Sequence, residues 1–295
     1  MTPPQTKGIV HSSTSHHQSS ISVLDCEVPP QPSLVRFPTI LTDEERYYRN
    51  FKDVKRVLDQ AGIEFWLDYG SLLGAVREGG KIEWDTDLDL SIVEVHWKEL
   101  LRAIPKLQEL GFYGHTTNVP LCKRMFSRRI WFQRYRQRVD IMVYQRVKAE
   151  MFGFDWTRRG SQHILDTKYL SKIIRGCYFL LFSEKLFGAT HPSQLDVRVS
   201  AIYKCFGSLM GLVSLLFGNG KTLVWRLLTV FGTGFVIVRV PSHFFEKLST
   251  TSVFGLTCKT PSDVEEYLTY HYGDWRTPKK QFNWTIDDRA VVGTI

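Results

Sequence analysis

The ten residues from Trp84 to Val93, WDTDLDLSIV, alternate acidic and apolar side chains. In an extended strand every second side chain lies on the same face, so this pattern predicts a strand from about Ile82 to Val93. One face is expected to carry the acidic residues Asp85, Asp87 and Asp89. The apolar residues between and after them would face the other way and anchor the strand in a core.

Three carboxylates at this spacing repel one another and raise each other's pKa unless a cation neutralises them. Oxygen ligands of this kind suit Mg²⁺ or Mn²⁺, which we expect as the cofactor. An EF-hand calcium loop also begins D-x-D-x-D, but its sixth and twelfth positions would here be Leu90 and His96 instead of Gly and Glu. The alternative without a metal is a solvated acidic edge.

Gly70 and Ser71 stand immediately before a short predicted helix, Leu72 to Arg77. Backbone N–H groups, a hydroxyl and a helix amino terminus together favour a phosphate. A Gly-Ser turn alone is a weak signal, since most are only turns. Its position upstream of the aspartates predicts a phosphate cradle and a metal-binding strand in one cleft, as phosphoryl transfer requires.

One or two further strands are predicted within Ile130 to Tyr144. A strand from Arg134 to Tyr144 would carry four polar residues on one face: Arg134, Arg136, Arg138 and Asp140. Asp140, embedded among apolar residues, is a candidate metal ligand or general base. The alternative is a structural pair with a neighbouring arginine. The arginines fit either a phosphate clamp or a solvated edge.

Three regions are predicted along the chain. Residues 1–38 are rich in Ser, Thr, His and Pro, which is typical of a flexible tail. Residues 39–150 order their elements as α-β-α-β-α-β, beginning with a helix capped by Thr42 and Glu45, and so predict an α/β (α+β) core with a mixed sheet. Residues 151–295 are expected to be a helical segment that completes the domain.

Two apolar stretches lie within this last region, Cys205 to Asn219 and Leu223 to Val240. Neither has the run of about 20 apolar residues that a spanning helix needs. They predict either buried helices or a hairpin lying in a membrane surface, so peripheral membrane contact through 205–240 stays open.

Lys and Arg number 38 against 30 Asp and Glu, so the surface should attract anions. No nucleic-acid-binding motif accompanies this charge, and nucleic acid is not an expected partner. The five cysteines are scattered and favour a reducing compartment. The first 26 residues lack the apolar region of a secretory signal, so we expect a cytoplasmic protein.

Two motifs resemble the LicD and fukutin-related family of the nucleotidyltransferase-fold superfamily. The first is Gly70-Ser-Leu-Leu-Gly-Ala-Val-Arg77 followed by Trp84-Asp-Thr-Asp-Leu-Asp89. The second is Tyr272-Gly-Asp-Trp-Arg-Thr-Pro278, and Val139-Asp140-Ile141 looks like the family's later strand. Residues from about 150 to 250 add little to the resemblance.

The resemblance implies transfer of a phospho-alcohol, such as phosphocholine or ribitol phosphate, from a CDP-linked donor to a glycan or glycolipid hydroxyl, with release of CMP. It implies that Arg77 holds a donor phosphate, for which the alternative is a surface ion pair. It also implies that Asp274 shapes the donor or acceptor pocket, for which the alternative is a helix-ending turn. Nucleotidyl transfer by the same site is a rival activity. A non-catalytic module that binds nucleotides or membranes is another.

Overall fold

A computed structural model describes residues 41–121, 125–158, 183–187 and 233–294. These residues form a mixed α/β fold. The helices are α1 (Asp43–Gln60), α2 (Tyr69–Arg77), α3 (Trp97–Glu109), α4 (Val264–Tyr272) and α5 (Trp284–Asp287). The strands are β1 (Phe65–Leu67), β2 (Asp87–Val93), β3 (Tyr113–Pro120), β4 (Phe126–Arg134), β5 (Gln137–Val147), β6 (Glu150–Arg158), β7 (Ser183–Phe187), β8 (Thr233–Pro241), β9 (Ser249–Val253), β10 (Leu256–Thr260) and β11 (Val291–Thr294).

Local sequence signals explain where the first two helices begin. The predicted capping box at α1 is confirmed, because Thr42 Oγ1 accepts from the Glu45 N–H and the Glu45 carboxylate accepts from the Thr42 N–H. Gly62, at φ 67°, follows the helix in the left-handed region. The carboxylate of Asp68 accepts from the Tyr69 N–H at the start of α2.

The described strands, apart from the β9–β10 hairpin, build one nine-stranded mixed sheet. Its main path runs β11-β8-β6-β5-β4-β3-β7, and β2 joins it beside β5 and carries β1 at its outer edge. The β2–β5 pair is parallel, whereas every other pairing given for the sheet is antiparallel. The parallel pair places residues from distant parts of the chain side by side.

One hydrophobic core lies between this sheet and the helices. Phe51 and Leu58 of α1, Leu100 and Leu107 of α3, and Ile141 of β5 all have no solvent exposure. Burying side chains of this size contributes roughly 1.5–3 kcal/mol each. The core therefore fixes the backbone of β2, β4 and β5, whose other face carries the polar residues.

Two details of the predicted strands were wrong. Residues 82–86 lie outside β2, which begins only at Asp87, so Asp85 comes from the preceding loop. The segment from Arg134 to Tyr144 is not one strand, because Tyr135 and Arg136 have positive φ and form the two-residue turn between β4 and β5. Arg134 is buried and hydrogen-bonded to Asn50, so the expected ladder of arginines does not exist.

The helical segment expected for residues 151–295 is also corrected where the structure describes it. Residues 233–241 form β8, in which Val236, Val238 and Val240 are buried and Arg239 is exposed. Period-two burial of β-branched residues explains the strand. The predicted tail at 1–38 and residues 205–232 of the apolar stretches lie outside the described residues. Within the described part of the chain, no helix is long and apolar enough to cross a bilayer.

Candidate active site

A cavity of about 1080 Å³ opens on the polar face of the sheet. Strands β3, β4 and β5 contribute every second residue to it, as the period of a strand requires. The lining from β2, β5, β4, β3 and β6 comprises Asp87, Asp89, Leu90, Arg138, Asp140, Met142, Ser127, Arg129, Trp131, Gln133, His115, Thr117 and Asp155. Among the predicted site residues it also includes Gly70, Arg77, Asp85 and Asp274, so Ser71 is the exception.

Asp85 and Asp89 converge on the backbone of Gly70. A Cβ added at Gly70 would lie 2.1 Å from Asp85 Oδ2 and 3.4 Å from Asp89 Oδ2. Any side chain at position 70 would therefore displace a carboxylate. The glycine is needed here for close approach and not for an unusual φ.

The parallel pairing of β2 with β5 brings the distant aspartates together. In its register Asp89 is opposite Asp140 and Asp87 is opposite Arg138. Residues opposite each other on neighbouring strands project to the same face. The structure thus brings the polar residues of the two strands together in one cleft.

Like charges act strongly on Asp89. Burial by the surrounding protein, followed by the charges of Asp85, Asp140 and Asp87, raises the pKa of Asp89 well above its ordinary value, and Arg129 lowers it only in part. The pKa of Asp85 is raised as well, first by burial, although the Asp87 N–H donates to its carboxylate. Both groups favour a neutralising cation or a proton.

Asp140 has two cationic partners. Its carboxylate lies 3.1 Å from Nη2 of Arg129 and 2.8 Å from Nε of Arg138, and Arg138 Nη2 donates a second contact at 3.0 Å. Arg129 also forms an ion pair with Asp155 of β6. The structural pair that the sequence left open for Asp140 is therefore present, and its role as a metal ligand stays a prediction.

The donor chemistry fits a magnesium ion held mainly by Asp85 and Asp89. No three His, Cys, Asp or Glu side chains of the described residues are arranged to hold a metal by themselves. Mg²⁺ is commonly bound by one or two carboxylates and completes its shell with water and substrate phosphates. Two converging carboxylates with raised pKa values at the bottom of an open cavity match that mode.

Ser71 serves a different purpose from the one predicted. Its side chain is buried, and its hydroxyl accepts from the Asp89 N–H at 2.8 Å and from the Tyr47 hydroxyl at 2.9 Å. Both lone pairs are thereby used inside the protein. Ser71 joins α2 to β2 and holds the backbone of Asp89, and it does not line the cavity.

Arg77 and Asp274 lie at the rim of the cavity. Arg77 Nε pairs with Glu78 at 2.8 Å, and its Nη1 donates to the Trp275 carbonyl at 3.0 Å, so Arg77 ties α2 to the carboxyl-terminal motif. Asp274 is exposed, and a hydrogen bond with Thr277 lowers its pKa. Gly273, at φ 69°, ends α4, and Trp275 is buried beside it. The helix-ending turn that the sequence offered as the alternative role for this segment is therefore present.

Sequence reasoning missed Arg129, Asp155 and His115. A signal for Arg129 existed: Ile130 and Phe132 are buried in β4, so Arg129 had to face the opposite side. Asp155 lay in a region assigned to helix, and His115 in a segment without a clear pattern. Burial, followed by Arg129 and Arg138, lowers the pKa of His115 to about 4, so this cavity residue is neutral at pH 7.

Residues 62–176 match the family model described as LicD/FKTN/FKRP, nucleotidyltransferase domain. This match confirms the resemblance predicted from the motifs. The matched range contains all four candidate aspartates, the Gly-Ser turn and Arg129. The carboxyl-terminal motif at 272–278 lies outside it.

Relatives match shorter stretches. An uncharacterized protein of Rickettsia prowazekii is 36% identical over 80 residues, which are 26% of this chain and 29% of that protein. The protein named ribitol 5-phosphate transferase FKRP, in mouse and in human, is 58% identical over 36 residues, which are 12% of this chain and 7% of its own length. The chain thus spans less than a third of the curated relatives it matches.

Two solved structures of the antibiotic-resistance factor ANT(2'')-Ia are similar to this chain at 10% identity. The solution structure gives a TM-score of 0.27 and covers 64% of this chain and 94% of its own. A crystal structure in complex with adenylyl-2''-tobramycin gives 0.26 and covers 63% and 98%.

Proposed function

We propose that this chain, whose residues 62–176 match a nucleotidyltransferase domain of the LicD/FKTN/FKRP type, is a transferase of phospho-alcohol groups. In this proposal it moves a group such as phosphocholine or ribitol phosphate from a CDP-linked donor to a hydroxyl of a glycan or glycolipid, and CMP leaves. The mouse and human relative is named a ribitol 5-phosphate transferase, which supports the class of reaction.

The observation that carries the proposal is the convergence of Asp85 and Asp89 on Gly70, opposite Asp140, at the bottom of a large cavity. Carboxylates that raise each other's pKa are costly unless they serve a cation or a proton. A bound Mg²⁺ or Mn²⁺ would neutralise negative charge on the donor diphosphate and on the departing CMP.

The chain's own residues have separate roles. Asp85 and Asp89 hold the ion, and Gly70 lets both carboxylates approach the amino-terminal turn of α2. Asp87 lines the cavity, and its carboxylate accepts from the Thr86 hydroxyl at 3.2 Å. We assign Asp87 as the group that takes the proton of the acceptor hydroxyl.

The size and lining of the cavity suit a donor and a sugar acceptor together. Its volume is slightly above the range of ordinary ligand sites, roughly 300–1,000 Å³. Aromatic side chains surround the opening, and Trp84 is 38% exposed there with Lys280 Nζ 5.3 Å from its ring centre. Such rings offer stacking surfaces for a base or a sugar.

The test is an incubation of purified protein with Mg²⁺, a glycan acceptor and a panel of CDP-choline, CDP-ribitol and CDP-glycerol. We expect CMP to appear with one donor of the panel, and to disappear with EDTA or in the Asp87→Ala and Asp89→Ala variants. A nucleotide left on the acceptor would establish nucleotidyl transfer instead. Absence of product with every donor would refute the proposal and favour a binding module.

A further inference from the structure

We infer that Arg129 is a ligand of the donor diphosphate and that Asp155 is its positioning residue. The inference rests on the proposed function for the identity of the donor. The anion site itself follows from the geometry around Arg129 and can be tested without any donor alcohol.

The direction of Arg129 is fixed by the strand that carries it. In β4, Ile130 and Phe132 have no exposure and point into the core, so Arg129 and Trp131 point into the cavity. Arg128, the preceding residue, faces the other way, where it contacts Glu94 at 3.4 Å and Asn118 at 3.3 Å. Two adjacent arginines therefore have different surroundings.

Arg129 keeps hydrogen-bond donors for a ligand. A guanidinium has five N–H donors, and the contacts of Arg129 with Asp155 and Asp140 are made through Nη1 and Nη2. Its Nε is buried and has no acceptor among the described residues. Buried donors of a charged group rarely stay unpaired, so the arrangement is completed by an incoming acceptor.

A phosphate can share Arg129 without leaving Asp140 uncompensated. Arg138 holds the same carboxylate from the side of β5 by contacts of 2.8 and 3.0 Å. Asp140 thus keeps a cation when Arg129 turns an N–H group toward an anion. The planar fork of arginine suits two phosphate oxygens at once, which a lysine ammonium does not match.

Asp155 holds the guanidinium in place from a third strand. It lies in β6 and is only 6% exposed, and its carboxylate pairs with Nη1 of Arg129. A buried acid that satisfies one end of the fork limits the rotamers of the arginine. Arg129 is therefore preorganised between β5 and β6 before the ligand arrives.

The first experiment measures binding of inorganic pyrophosphate and of CDP by calorimetry, in the presence of Mg²⁺. We expect Arg129→Gln to weaken both affinities by about 10- to 100-fold, as expected for loss of hydrogen bonds to a charged group. The matched control Arg128→Gln should bind both probes like the wild type. Equal binding by Arg129→Gln and wild type would overturn the inference.

Removing one charge from a buried pair can unfold a protein, so the series includes Arg129→Lys and the neutral double variant Arg129→Gln/Asp155→Asn. Arg129→Lys should recover less than full affinity. Asp155→Asn alone should weaken pyrophosphate binding, and it should add nothing in the Arg129→Gln background. Additive effects would show that Asp155 acts only on the fold and would contradict its positioning role.

The outcomes separate this inference from the proposed function. If pyrophosphate binds and its binding depends on Arg129, but no CDP-alcohol yields CMP, the anion site stands and the donor assignment fails. If Arg129→Gln releases CMP at the wild-type rate and binds pyrophosphate and CDP with wild-type affinity, the proposed transferase activity stands and the inference about Arg129 fails.

Discussion

Asp89 is surrounded by charges of its own sign, and its stability contribution follows from that. Its folded pKa is raised, so the folded state binds more protons than the unfolded state, and the free energy of unfolding falls as pH rises from the unfolded pKa through the folded one. Ionisation of Asp89 in the folded protein therefore lowers the free energy of unfolding.

Replacing this charge with an isosteric amide should stabilise the fold and remove the metal site. For Asp89→Asn without added metal we expect the midpoint of thermal unfolding to rise by about 2–4 °C, equivalent to about 1 kcal/mol. Mg²⁺ should raise the midpoint of the wild type but not of the variant. Differential scanning calorimetry checks both effects, and a lower midpoint in Asp89→Asn would contradict the first.

Asp43→Asn is the matched control for this experiment. Asp43 is an exposed residue whose ion pair with Arg46 lies at the surface, where such pairs contribute little. Its replacement should leave the response to Mg²⁺ unchanged. If Asp43→Asn also lost its stabilisation by Mg²⁺, the loss in Asp89→Asn would be a general effect of net charge.

His115 predicts an opposite dependence on pH. Its folded pKa is about 4 against 6.5, so its contribution to the free energy of unfolding is complete above pH 6.5 and is lost as pH falls toward 4. The change is about 3 kcal/mol as an upper value, because each pKa unit corresponds to about 1.4 kcal/mol.

Urea denaturation of wild type and His115→Gln at pH 7, 5.5 and 4.5 checks this assignment. The variant should lose less stability across the series, since its side chain does not take up a proton. Asp89 titrates in both proteins, so its opposing effect cancels in the comparison. If the free energy of unfolding fell equally with pH in both proteins, His115 would not be the group responsible for the loss of stability.

Among the elements, α2 has glycines with two different purposes. A Cβ at Gly70 would meet the carboxylate of Asp85, whereas one at Gly74 would lie 2.5 Å from the backbone oxygen of Gly80. The first contact displaces a side chain of the site. The second forces the backbone of the following loop to move.

We expect Gly70→Ala to lower CMP release at least about 10-fold with little change in stability, because a 1 Å displacement of a catalytic group has effects of this size. Gly74→Ala should instead cost about 1–3 kcal/mol of stability through overpacking. Steady-state kinetics and urea denaturation of the two variants separate the cases. A Gly70→Ala enzyme with full activity would argue against the assigned metal ligands.

The elements that the sequence predicted well are those with a local signal. The capping box set the start of α1, and the alternation of β2 was visible from Asp87 onward. Asp85 shares the period of β2 but belongs to the loop, because nothing in an alternating pattern marks where hydrogen bonding to β5 begins. The turn at Tyr135 and Arg136 lacks the Gly or Asn that usually marks one.

In the candidate site, the sequence singled out the aspartates of β2 and Asp140 but missed Arg129, Asp155 and His115. The aspartates of β2 and Asp140 stand in recognisable patterns, and the parallel register places Asp89 opposite Asp140. Arg129 and Asp155 meet only because β4, β5 and β6 are neighbours in the sheet. Contacts of this kind depend on the order of strands in the sheet, which the spacing of residues along the sequence does not reveal.

At the scale of the whole molecule, α4 is hydrogen-bonded to the start of α2 from a distant part of the chain. The Tyr267 hydroxyl donates to the buried carboxylate of Asp68 at 2.6 Å, and Ser91 donates to its other oxygen at 2.7 Å. Burial raises the pKa of Asp68, while these two donors lower it. Asp68 caps α2, so α4 and the amino-terminal turn of α2 are mechanically joined.

Tyr267→Phe should therefore destabilise the whole fold. Loss of a hydrogen bond to a buried carboxylate is expected to cost about 1.5–3 kcal/mol in the free energy of unfolding. Tyr270→Phe, on the same helix, loses only an exposed contact to the Arg239 carbonyl at 3.0 Å and should cost less than about 1 kcal/mol. Chemical denaturation compares the two variants. Equal losses in the free energy of unfolding would show that the hydrogen bond to Asp68 has no special weight.

The partnership of Asp68 and Tyr267 also has a consequence for biosynthesis. The two residues are 199 positions apart. At a translation rate of about 5–20 residues per second, Asp68 is synthesised roughly 10–40 seconds before its partner. A nascent chain of that length has its acidic strand but lacks the tyrosine that hydrogen-bonds to Asp68, so the start of α2 can be tied to α4 only after this late helix has been made.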